Sequence, residues 1–209
     1  MKNRCLAALA VAFTIAAPPA THAHPRGPRV TPPPVPEDIQ VPPGSRAFLE
    51  GHAVGTQNYA CLPSATAATG FAWTLFTPDA TLFNDEARQV ITHVFRSSPT
   101  DGVLRPVWQH SRDSSAVWAQ LVTPSSDPAF VAPGAIPWLW LRVVAAQEGP
   151  TGGRALTATA HIHRVNTSGG VAPATGCATA TDVGKKALVP YTAAYFFYVA
   201  PHTRLDDDE

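Results

Sequence analysis

Beyond its N-terminal stretch the sequence lacks any apolar run near the roughly 20 residues that a membrane-spanning helix needs, so no transmembrane segment is expected. It also lacks an excess of one charge: 15 Lys and Arg stand against 15 Asp and Glu. Without a basic stripe to neutralise phosphates, nucleic acid is not an expected partner, and the terminal Asp206, Asp207, Asp208 and Glu209 read as a solvated tail. Local catalytic signatures are missing as well. There is no GxSxG elbow, HExxH, P-loop or GxGxxG, so hydrolase, zincin, nucleotide and dinucleotide chemistry all lack their usual marks. Acidic pairs such as Asp85 with Glu86, or Asp101 with Asp113, would serve glycoside hydrolysis only at a fixed separation in space.

What is present first fixes a destination. Lys2 and Arg4 precede CLAALAVAFTIAA, an apolar run of signal-peptide length, and Thr21 and Ala23 suit cleavage after residue 23, with Ala20 as a second choice. The mature chain is therefore expected to be secreted, either periplasmic or extracellular. Cys5 leaves with the leader, so Cys61 and Cys177 remain, an even count in an oxidising compartment that reads as one disulfide. The rival, a pair of metal thiolates, lacks the close CxxC spacing of zinc sites.

Residues 24–45 hold so much proline that strand pairing is blocked at many positions, and the stretch reads as an extended, disordered arm that builds no core. Residues 46–201 form one domain, followed by the tail at 202–209. Inside the domain the apolar residues recur with a period of two in GTQNYAC, GFAWTLF, QVITHVF, AVWAQLV and LVPYTAAYFFYVA. Proline-rich turns are expected at TPDA, SSPTDG, TPSSDP and EGPTGG. The expected fold is all-β, a single-domain antiparallel β-sandwich or barrel. AIPWLWLRVVAA is apolar on both sides and admits a doubly buried strand or a short helix entered at Pro137; a strand is expected, with Trp138 and Trp140 in the core.

In RALTATAHIHRV, read as one strand, alternation puts Leu156, Ala158, Ala160 and Ile162 on one face and Thr157, Thr159, His161 and His163 on the other. The two histidines thus sit on a polar face, in solvent or in a cleft wall, rather than in a core. A transition metal would need a third ligand, for which His52, His93 and His110 are candidates. An N-terminal His24 after cleavage offers a separate chelating possibility.

The succession GTQNYACLP, Trp73-Thr-Leu, PDATL, His93, Trp108, RDSSAV, AIPWLWL, HRVNTSGGVAP with Cys177, and YTAAYFFY resembles the domain of unknown function 3455 family, secreted proteins of bacteria and fungi, over residues 46–199. The resemblance implies no assigned activity, and the malate dehydrogenase label attached to some relatives finds no nucleotide fingerprint here. In the family pattern a glutamine stands at the place of His163 and a glycine at that of Ser114, whereas His93 fits. The resemblance thus puts a shared metal site on His161 and His163 in doubt and favours His93 for a shared role, unless it packs against Trp73 or Trp108. The expected function is a secreted binding or envelope-associated module for a small molecule or glycan, with His93, Trp108 and Asp113 as candidate ligand-binding residues. The alternative is a metal-dependent extracellular enzyme using His93, His161 and His163.

Overall fold

In a computed structural model, residues 30–201 are described. The leader expected over 1–23, the start of the arm with His24, and the tail at 202–209 lie outside them. Eight antiparallel strands follow in chain order: β1 (Arg46–Pro63), β2 (Phe71–Phe83), β3 (Gln89–Ser97), β4 (Leu104–His110), β5 (Ala116–Ser125), β6 (Trp138–Gln147), β7 (His161–Gly169) and β8 (Lys186–Val199). Each pairs with the next, and β8 returns to β1 from Arg46↔Val199 to Ala60↔Lys186. The sheet therefore closes into a barrel rather than splitting into a sandwich, and closure leaves no sheet edge to protect.

The period-two pattern decides what fills it. Along β8, Tyr191, Ala193, Tyr195 and Phe197 point into the barrel core, while Ala194, Phe196 and Tyr198 join a second cluster outside the wall. β6 behaves the same way, with Leu139 and Leu141 packed inward and Trp138 and Trp140 outward. AIPWLWL is thus a strand, apolar on both sides because both sides are covered.

The cover is the described part of the proline-rich arm, residues 30–45, which packs a core where none was expected of it. Ile39, in the short 3₁₀ turn Glu37–Ile39, is fully buried, and Val30, Val35 and Val41 pack with it against Trp138, Val165, Phe196 and Tyr198. Proline forbids ladder pairing, not packing: an extended chain with few N–H groups leaves few donors unsatisfied when laid on an apolar wall.

One expected turn is in fact strand and another begins later than expected. Pro78 of TPDA lies within β2, and Pro124 of TPSSDP lies within β5, which ends at Ser125 so that the turn starts at Pro128. The reverse holds for RALTATA: residues 154–160 form a connection, and β7 begins only at His161. That connection folds inward. Leu156 is fully buried with Leu82, Ile91 and Phe197, plugging the end of the barrel at which the described chain also enters and leaves.

Candidate functional site

At the opposite end the barrel core is incomplete, leaving a cavity of ≈ 420 Å³. Its wall is mostly apolar, with Leu75, Phe95, Ile136 and Leu141 among the lining, and His93, Trp108, Gln57, Tyr195, Arg105 and Arg164 supply the polar atoms. The volume falls within the roughly 300–1,000 Å³ of small-molecule sites, and eight-stranded barrels are just wide enough to hold one small ligand.

A seam in the wall reaches this cavity. The β4–β5 ladder has only the pairs Val107↔Trp118, Trp108↔Val117 and Gln109↔Ala116, after which the strands separate. Leu104, Arg105 and Pro106 line the cavity from one lip, and Ala119, Gln120 and Leu121 from the other. The β2–β3 ladder likewise ends at Ala80↔His93, beyond which the Phe95 N–H donates to the Thr77 hydroxyl instead (2.9 Å). Pro78, Pro106 and Pro124 all fall in these unpaired stretches, where a missing N–H costs no ladder bond.

His93 packs here against Trp108, one of the two tryptophans considered for it. Their rings stack with centroids 4.3 Å apart, and Tyr195 closes the group at 5.3 Å from the imidazole. His93 Nδ1–H donates to Val107 O (2.9 Å), which leaves Nε2 as the ring's acceptor. Burial pushes the imidazole pKa down to about 3 despite that hydrogen bond, so His93 is neutral across the physiological range. Trp73 is not its partner; Trp73 Nε1–H donates to Thr175 O (3.0 Å) at the rim.

Asp113 is elsewhere, in the turn between β4 and β5 beside the plugged end, and does not line this cavity. Its carboxylate accepts from Ala155 N–H, from both the N–H and hydroxyl of Ser115, and from His110 Nδ1–H. Burial alone would raise its pKa, but these bonds hold it well below the usual carboxylate range. The Ser115 hydroxyl accepts in turn from Leu156 N–H (3.1 Å), so the knot clamps the plug. Ser114 has φ 59°, a left-handed conformation that glycine adopts most easily.

The proposed metal triad does not assemble. Alternation does place His161 and His163 together on the outer side of β7, but His93 lies inside the barrel, across the wall from them. Among the described residues no three His, Cys, Asp or Glu side chains are grouped to hold a metal ion. Nor is His163 on a solvent or cleft face: it is 2% exposed, under the arm. Its Nε2–H donates to Ile39 O (2.7 Å) and its Nδ1 accepts from the Tyr198 hydroxyl (2.9 Å), so both nitrogens are satisfied. His161 is half-buried and accepts from Trp140 Nε1–H (3.2 Å). His52 and His110 are paired with Asp85 and Asp113.

Cys61 and Cys177 form the disulfide. It ties the long β7–β8 connection to the end of β1, at the rim of the open end of the barrel.

A family model described as protein of unknown function (DUF3455) matches residues 42–199. The chain belongs to this family. The DUF3455 match takes in all eight strands and both cysteines but begins after most of the arm, so the cavity belongs to the family domain and the cover over His163 lies largely outside it. No curated protein and no solved structure matches the chain.

Sequence reasoning missed Arg164. The same alternation that pairs His161 with His163 puts Arg164 beside Ile162, so an arginine on the apolar face of a strand was the available signal.

Proposed function

We propose that this DUF3455 protein is an exported binding module whose barrel holds one small, mostly apolar molecule. The cavity carries this reading. Its lining has no carboxylate, thiol or aliphatic hydroxyl, the groups on which hydrolysis and acyl transfer ordinarily depend. Its imidazole titrates far from the pH at which a general acid or base is useful. A glycan is the poorer fit, because the lining is mostly apolar and Trp108 is 1% exposed and already stacked on His93. Export is supported by the signal-like N-terminal sequence and by a disulfide.

The test is titration with a neutral apolar fluorophore, N-phenyl-1-naphthylamine, of wild type and of Ala119→Trp, which fills the cavity from a fully buried lining position. Saturable binding at one probe per chain, lost in a variant with unchanged circular dichroism, is the expected result. Binding that is absent, or indifferent to the filled cavity, would sink the reading.

A further inference from the structure

We propose that the barrel's ligand is a monoanion with an apolar body, in the simplest case a carboxylic acid, whose charged end pairs with the Arg164 guanidinium inside the cavity; this rests on the cavity reading above.

Charge balance is the first support. Two arginines and no acidic side chain line the cavity. Arg105 is matched by Asp101 at 2.6 Å, but among the described residues no carboxylate lies within 4.0 Å of Arg164. Arg164 Nη2 donates to Pro137 O (2.8 Å), a neutral partner, and its Nε has no acceptor. Neighbouring groups do not supply the missing charge. Burial raises the pKa of Tyr191 and Tyr195, keeping both phenols protonated, and His93 is neutral. A guanidinium cannot shed its proton to escape a costly environment, as a lysine can, so an uncompensated one in a largely apolar cavity calls for an anion.

Hydrogen-bond balance points the same way. Four buried polar atoms on lining residues lack a partner: Gln57 Nε2, Arg105 Nε, Trp108 Nε1 and Arg164 Nε. All four are donors. A carboxylate brings only acceptors, in the planar geometry that a guanidinium grips with two parallel bonds. The single uncompensated cation argues for one negative charge rather than several. The apolar body is set by the rest of the wall, which runs to Leu104 and Leu121, both exposed, at the two lips of the β4–β5 seam.

The experiment displaces N-phenyl-1-naphthylamine with two matched pairs, dodecanoate against 1-dodecanol and 2-naphthoate against 2-naphthalenemethanol, at a pH where both acids are ionised. Wild type is expected to prefer the acid of at least one pair by tenfold or more. Arg164→Met should bring the two members within about twofold while keeping the alcohol's affinity, and Arg164→Lys, which keeps charge but not the fork, should retain part of the preference. Acid and alcohol bound equally by wild type would overturn the proposal and leave the cavity reading standing. Failure of the fluorophore and all four compounds to bind would overturn both. The wild-type comparison decides even if a variant does not fold. A merely structural Arg164 would show as lost stability in Arg164→Met with the acid preference intact.

Discussion

The two buried histidines carry a cost that appears only in acid. Burial lowers the pKa from 6.5 to about 4 at His163, outweighing its bond to Ile39 O, and to about 3 at His93. As the pH falls below 6.5 the unfolded chain takes up these protons first, so stability is full above that value, is lost progressively beneath it, and levels off below about 3. Around pH 5, where both groups are charged in the unfolded chain and neutral in the folded one, the slope approaches about 3 kcal/mol per pH unit. His163→Gln separates the two contributions. A glutamine amide offers one donor to Ile39 O and one acceptor to Tyr198, as the neutral imidazole does, but never charges. Urea midpoints measured from pH 7 to pH 4 should show wild-type-like stability at pH 7 in this variant and about half the acid slope; an unchanged slope would mean that His163 is not the group taking up the proton. At this scale the sequence showed which face His163 occupies, because alternation is a local rule. It did not show what lies over that face, since Ile39 is 124 residues away and in a segment whose prolines conceal its packing.

At the scale of elements, the eight strands were legible wherever alternation ran unbroken, as in QVITHVF and AVWAQLV. The misreadings occurred at proline and threonine. Pro78 and Pro124 looked like turn residues because proline usually ends a strand, yet each sits where its strand has lost a neighbour. Prolines inside alternating runs are therefore a readable sign of an open seam, and with Pro106 they frame the outer half of the β3–β4 hairpin. That half pairs only with itself, from Phe95↔Pro106 to Ser97↔Leu104, where both flanking ladders have stopped. Local opening is cheapest where backbone bonds are fewest. Hydrogen exchange should be faster at residues 94–97 and 104–105 than in β1 and β8, and a bound cavity ligand should slow it. Exchange as slow as in β1, or unmoved by a saturating ligand, would show that the hairpin does not serve as the way in.

Over the whole molecule, the Cys61–Cys177 bond closes a loop of sequence separation 116 that contains β2 to β7 entire. Such a crosslink acts chiefly on the unfolded chain, where loop-closure entropy gives about 5 kcal/mol in the simplest treatment. In the folded barrel the same contact is doubly held, since Cys61 N–H donates to Lys185 O (2.9 Å) and Gly184 N–H donates to Cys61 O (3.0 Å). The barrel is also closed independently of sulfur by the long β1–β8 ladder. Neither cysteine lines the cavity. Stability and binding should therefore part company in Cys61→Ala/Cys177→Ala. Its urea midpoint should fall by the equivalent of about 3–5 kcal/mol, and its m value should rise because the freed unfolded chain exposes more surface. Affinity for the neutral fluorophore should stay within about threefold at temperatures where the variant is folded. A folded variant that no longer binds would assign the clasp a different task, that of holding the β7–β8 connection in shape at the rim. The bond would then shape the cavity's rim and not only stabilise the barrel.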